Sequence, residues 1–199
     1  GLLFGQFLEH TSNQAMIYFA SVLSGSLYVR VIKPVLFRFA PDGVHRRSIR
    51  LGKISAAIPP LRWVLRGVLR FDDDCLKQRV AGLTFDNPIG LSAGFDKNFE
   101  LLRLMPALGF GFVEGGSLSA RASDGNPRPH YRRLKQSKSI LVNAGLNNHG
   151  VQPIMARIRG YGQLAYPLNI SVAKTNDAAT CTEQAGIADY VESLRVIKQ

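Results

Sequence analysis

The chain of 199 residues predicts an α/β fold of parallel βαβ units behind a basic helical extension. Three observations predict it. Strand-like and helix-like segments alternate through the second half. The strand-like segments are apolar along their length, as strands covered on both faces of a parallel sheet must be. The charge is also lopsided. The net formal charge is +11, yet Arg30, Lys33, Arg38, Arg46, Arg47, Arg50, Lys53, Arg62, Arg66 and Arg70 are opposed over residues 30 to 70 by Asp42 alone. The basic excess therefore belongs to an N-terminal module and not to the whole surface.

The first residue is Gly, which is what a processed, tagged or incomplete chain would show. Residues 15–29 (AMIYFASVLSGSLYV) are uncharged. They fall short of the roughly 20 apolar residues that span a bilayer. They fit a peripheral or buried helix, a membrane anchor or a signal remnant. A helix over 44–57 follows "APDG", with Asp42 as its cap. Pro59-Pro60 breaks the chain. In "LRWVLRGVLRF", Leu61, Val64, Leu65, Val68 and Leu69 make one stripe at helical period, with Arg62, Arg66 and Arg70 opposite and Trp63 at the rim. Such a helix packs on a domain with its arginines solvated, or lies in a membrane interface with them on phosphates.

A link over 71–88 leads into the α/β part. Residues 87–96 read as a buried strand running into a loop. A helix over 99–109 ends in Gly, and 110–119 form a second strand. Residues 122–139 are a polar, basic excursion, and 140–150 start apolar and end in amides. A helix is expected over 151–162 and a third strand over 166–176. A last helix covers 182–198, with Ala185, Ile187, Tyr190, Val191, Leu194 and Ile197 mostly on one face.

In parallel α/β folds the C-terminal strand ends build the site. Here they read "AGFDKN", "GGSLS" and "NISVAKTN". Gly94 lets backbone approach a planar or phosphorylated ligand, and Lys97 adds a cation. The bland alternative is a surface turn in which Lys97 pairs with Asp96 or Glu100. Gly115, Gly116 and Ser117 again combine small residues with a hydroxyl, and Asn169 offers an amide. Other chemistries are excluded. Gly109, Gly111 and Gly115 do not make a dinucleotide fingerprint, and there is no Walker loop. Cys75 and Cys181 have neither zinc nor disulfide spacing and fit a reducing compartment or simple burial. His10, His45, His130 and His149 are scattered. "RPHYRR" is too small a patch for nucleic acid.

The blocks "NPIGLSAGFDKNFE", "LGFGFVEGGSLS", "GNPRPHYRRL" and "NAGLNNHGV" follow one another over roughly residues 83 to 151. In order and spacing they resemble dihydroorotate dehydrogenase. "FRFAPDGVHR" and its helices resemble the N-terminal extension of the quinone-dependent, membrane-associated class, back to about Leu27. The resemblance implies a (β/α)8 TIM barrel that holds FMN and oxidises dihydroorotate to orotate in pyrimidine biosynthesis, with a quinone as electron acceptor. It divides the chain into an extension, 1–74, and the first part of the barrel, 75–199. It places Ala93, Gly94, Lys97, Ser117 and Asn169 on FMN. It places Lys97, Asn143, Ala144, Gly145 and Leu146 on the substrate, and His45 and Arg133 at the quinone. The N-terminal helices would then dock on a bacterial or mitochondrial inner membrane. The departures are Val142 where the family has a leading asparagine, Ala120 for a proline, and "SVAKTN" for a glycine-containing segment. A barrel of this type needs about 250 residues, and only 80–199 follow the extension. The family's serine base and a further substrate asparagine lie beyond Gln199. The rest of the barrel would come from missing sequence or a second chain, unless the protein is a remnant. The alternative readings are a non-catalytic relative serving as a structural or membrane-docking subunit, and an FMN barrel oxidoreductase with another substrate.

Overall fold

A computed structural model describes residues 22–23 and 25–199. Most of the apolar 15–29 run, and His10, lie outside the described residues. A π-helical turn, Tyr28–Ile32, continues into α1, Lys33–Leu36. Helices α2, Pro41–Ala57, and α3, Pro59–Leu69, follow. Pro41 opens α2 at a position where the missing N–H is no loss. Pro59 opens α3 and keeps Ile58 extended at φ −105°, ψ 100°. Asp42 is not the expected cap. It lies inside the first turn of α2, and its carboxylate crosses to the backbone N–H groups of His130 at 3.1 Å and Tyr131 at 3.4 Å.

The 71–88 link is more ordered than its polar composition predicts. It contains an antiparallel hairpin, β1, Gln78–Val80, with β2, Leu83–Phe85. Ala81 and Gly82 turn it at φ +51° and +81°, the left-handed pair that a two-residue hairpin loop requires. The central sheet is parallel and runs in chain order: β3, Gly90–Leu91, then β4, Phe112–Leu118, then β7, Leu168–Val172. Between β4 and β7 the basic excursion forms a second hairpin, β5, Tyr131–Leu134, with β6, Ser139–Val142. Helices α4, Val151–Gly160, and α5, Glu183–Lys198, complete the order. The described strands make this open three-stranded sheet and the two separate hairpins, with no closed barrel among them.

The core lies between this sheet and its connections. Phe99, Leu101, Leu102, Leu104 and Met105 meet Val113 and Leu118 of β4, and Val151, Ile154 and Met155 of α4. The expected 99–109 helix is instead a run of turns ending in a 3-10 turn, Met105–Leu108. The cause is local. Asp96 takes the N–H groups of Glu100 and Leu101, both at 2.8 Å. Phe99 sits at φ +55°, and Pro106 has no N–H to give. Gly115 serves this packing, because a Cβ there would strike the Phe99 ring. Helix α5 forms where its period predicts and buries mainly small and polar residues. Gly186, Asp189, Ser193 and Val196 are buried, while Ile187, Tyr190, Val191 and Leu194 are exposed. Its buried face is set by Thr175, whose N–H and hydroxyl both donate to the Asp189 carboxylate at 2.7 Å.

Candidate functional site

The ends of β3 and β4 face the 143–146 loop across a pocket of about 570 Å³. Ala93, Gly94, Lys97, Ser117, Asn143, Ala144, Gly145 and Leu146, scattered over fifty residues of sequence, all line it, with Gly116, Tyr131 and Val142. Gly94 is at φ +109°, and its Cβ position is open space. Its N–H donates to Gly116 O at 2.9 Å, tying the two strand ends together. Gly116, at φ +108°, leaves room for nothing larger, since a Cβ would lie 2.6 Å from Ser171 O. The Ser117 and Ser171 hydroxyls are 2.7 Å apart. Asn169 is outside this wall. It is exposed on β7 in register with Glu114, and Ser171 takes the place nearer the pocket.

Asp96 and Lys97 part company. The Asp96 carboxylate is buried beneath the loop, and burial raises its pKa against the two N–H groups it accepts. Lys97 pairs with neither Asp96 nor Glu100. Its ammonium donates to Asn147 Oδ1 at 2.6 Å and lies 5.6 Å from the Tyr131 ring centre. Glu100 is held instead by Lys53 at 2.7 Å. Burial pushes the Lys97 pKa down, and Asp42 only partly opposes this. The result is a cation short of solvation, which favours an anionic partner.

Lys97 and Tyr131 also line a second pocket of about 540 Å³, between α2 and the 95–100 loop. His45 enters it from α2. Its imidazole meets the Phe95 ring edge-on at 5.4 Å and the Tyr131 ring at 5.3 Å. Burial lowers the His45 pKa and the Lys97 charge lowers it further, while Asp42 pulls the other way. Arg133 is not on this lining. Its guanidinium donates to Phe39 O at 2.8 Å and stacks 4.4 Å from the Phe37 ring centre. Tyr131, Phe95 and Asn147 are the residues that sequence reasoning did not single out. Asn147 stood in the quoted "NAGLNN" segment, whereas the aromatic pair carried no signal before β5 and α2 came together.

The arrangement can hold a flat anionic ligand beside one cation, two hydroxyls and an amide, with a second pocket behind it lined by aromatic and charged side chains. Among the described residues no cluster could hold a metal ion. Cys75 and Cys181 are free, and both are exposed rather than buried.

Comparison with known proteins sets this geometry in a family. The family model described as dihydroorotate dehydrogenase matches residues 75–199. Relatives named dihydroorotate dehydrogenase (quinone) include one from Gloeobacter violaceus, 38% identical, covering 82% of this chain and 45% of its own length. Another, from Halorhodospira halophila, is 33% identical, at 84% and 46%. The mitochondrial protein of Mus musculus is 33% identical over 99% of this chain and 46% of its own length. The chain thus spans a little under half the length of these relatives. Among solved structures, DHODH from Eimeria tenella is similar in its ligand-free form, with TM-score 0.53, 29% identity, and coverage of 69% of this chain and 40% of that one. Its complex with ferulenol gives TM-score 0.52, 30% identity, 68% and 36%. With a family match over more than half of its residues, the chain belongs to the dihydroorotate dehydrogenase family.

Proposed function

We propose that this chain contributes an extension, 1–74, and the first units, 75–199, of a (β/α)8 barrel that holds FMN, and that the completed enzyme oxidises dihydroorotate to orotate with a quinone as acceptor. The observation that carries the reading is the single pocket shared by residues on both the cofactor and substrate sides, with Lys97 between them. The residues fit a flavin. Gly94 leaves the wall open at its Cβ position, Ser117 supplies a hydroxyl, and Lys97 supplies a cation short of solvation. FMN, when bound, supplies two-electron oxidation.

Ala93, Gly94, Lys97 and Ser117 hold the cofactor in this reading, and Asn169 reaches it from the sheet face. Lys97 faces the substrate carboxylate, where a fixed cation in a dry pocket stabilises negative charge. Asn143, Ala144, Gly145 and Leu146 form the opposite wall. His45 and Arg133 belong to the quinone side, where burial lowers the His45 pKa. The catalytic base lies outside these residues. The remaining strands come from further polypeptide or a second chain, which adds to the free side of β7 and covers the exposed Ile187, Tyr190, Val191 and Leu194 of α5.

The extension docks on a bacterial or mitochondrial inner membrane. Trp63 is 82% exposed, and Val64 and Val68 on the same helix and Leu51 and Ile54 on α2 are exposed too. No described helix is long and apolar enough to cross a membrane. The proposed contact is interfacial, with arginines beside apolar side chains.

Purified protein should carry a flavin spectrum, or acquire one with added FMN, and reduce a quinone analogue with dihydroorotate once the barrel is complete. A protein that stays colourless with added FMN counts against the reading. A second reading, a non-catalytic relative that docks or scaffolds, is favoured by one observation. Val142, 58% exposed, lines the pocket where the family resemblance puts an asparagine.

A further inference from the structure

The 143–146 loop is held from outside at three successive carbonyls. Ala144 O accepts from the Asn126 backbone N–H at 3.3 Å. Gly145 O accepts from Asn176 Nδ2 at 3.1 Å, and Leu146 O from Asn148 Nδ2 at 2.8 Å. The loop needs that support. Gly145 is at φ +63° and Leu146 at φ +58°, a conformation that leucine keeps only where its surroundings enforce it.

Asn126 and Asn148 belong to the same β4-to-α4 excursion as the loop. Asn176 comes from the connection after β7. Its backbone is anchored on both sides. Thr175 is buried and doubly bonded to Asp189. Asp177 accepts from the Thr180 N–H at 3.1 Å and pairs with Arg121 at 2.9 Å. Arg121 also reaches Asp189 at 3.3 Å. These contacts join the segment after β4, the segment after β7, and α5.

We infer that Asn176 is a positioning residue for the ligand-facing wall: the Arg121, Thr175 and Asp189 anchor fixes the β7–α5 connection, and Asn176 transmits that position to Gly145. Its effect on the loop stands apart from the proposed reaction, and its effect on ligand affinity rests on that reading.

The test uses the full protein with Asn176→Ala and Asn176→Asp. The aspartate keeps the shape but has no donor for Gly145 O. The amides of Asn126, Asn143 and Asn148 frame the loop through bonds to Ala144 O, His130 O and Ser123 O. Their hydrogen exchange should quicken about fivefold in Asn176→Ala, the factor one ordinary hydrogen bond is worth, and at least as much in Asn176→Asp. Exchange in β7 and α5 and the melting temperature should hold. In FMN-loaded protein the orotate dissociation constant should rise by a similar factor while FMN binding is retained. Unchanged exchange at the three amides, or an increase shared equally by β7 and α5, overturns the inference. Quickened exchange with unaltered orotate affinity overturns the ligand-positioning role. Wild-type protein that binds neither FMN nor orotate overturns the functional reading, and the exchange result then decides the role of Asn176 alone.

Discussion

Replacing Lys97 with Met removes the positive charge from the wall common to both pockets while keeping the length of the side chain. The ammonium is half-buried and is held by Asn147 at 2.6 Å. A hydrogen bond to a charged group is worth about 1.5–3 kcal/mol. An anionic ligand that relies on Lys97 therefore loses roughly 10- to 150-fold in affinity. Stability should not follow the same direction. Burial holds the folded pKa of Lys97 below the ordinary 10.5. For a base with a lowered folded pKa, the burden of protonation is felt in full below the folded value and fades as pH rises toward 10.5. Met carries no such burden. The variant should melt at or above wild type near neutral pH, and the difference should narrow as pH climbs through the window below 10.5. FMN and orotate titrations, followed by flavin fluorescence and absorbance, measure the first effect, and thermal melts measure the second. Unchanged affinities would refute the assignment of Lys97 to the ligand. A variant that loses affinity and melting temperature together would refute the argument from local charge.

Asp42→Ala should destabilise the protein by about 1–3 kcal/mol in urea unfolding, because the His130 and Tyr131 N–H groups lose their buried acceptor. Burial works against the charged form of Asp42, but those N–H groups and the nearby Arg128 outweigh it, and its pKa is held below 3.8. Its contribution is therefore present above pH 3.8 and is lost as pH falls through the folded value, so wild type and variant should converge in acid. Gly115→Ala should cost about 1–3 kcal/mol by overpacking against Phe99. Phe99→Leu in the same chain should recover part of that loss in a double-mutant cycle. Trp63→Ala should leave unfolding within about 0.5 kcal/mol of wild type, since the side chain is 82% exposed. The same change should weaken sedimentation with anionic liposomes, and unchanged sedimentation would remove Trp63 from the docking face.

Local signals were legible where one physical rule acted alone. Pro59 and Pro60 mark the α2–α3 break because proline restricts the residue before it. Apolar runs mark β4 and β7, and the order of the blocks marks the family. Reading failed where a specific side-chain partner or a proline, near or far in sequence, overrode the spacing pattern. The 99–109 stretch has helical spacing, yet Asp96 and Pro106 divert its backbone into turns. The helical period of α5 is legible, but which face it buries is not, because the Thr175–Asp189 contact turns Gly186, Asp189 and Ser193 inward. Asp42 reads as a cap because capping is a short-range rule, while its real partners are 88 and 89 residues away.

The sequence by itself determined the α/β class, the family and the wall residues of the pocket from Ala93 to Leu146, because strand ends, glycines and motif blocks are short-range properties. Only the tertiary structure decided where Lys97 points, that a Cβ at Gly115 would strike Phe99, and that Asn169 lies on β7 in register with Glu114 while Arg133 bonds Phe39 O. Each of those depends on which segments meet across the sheet, and a side chain's partner is a matter of distance in space that no local pattern records. The glycine and lysine after β3 show both sides: their presence at a strand end is readable, but the separation of Asp96 beneath the loop from Lys97 above the pocket exists only once β4, β5 and the 143–146 loop are in place.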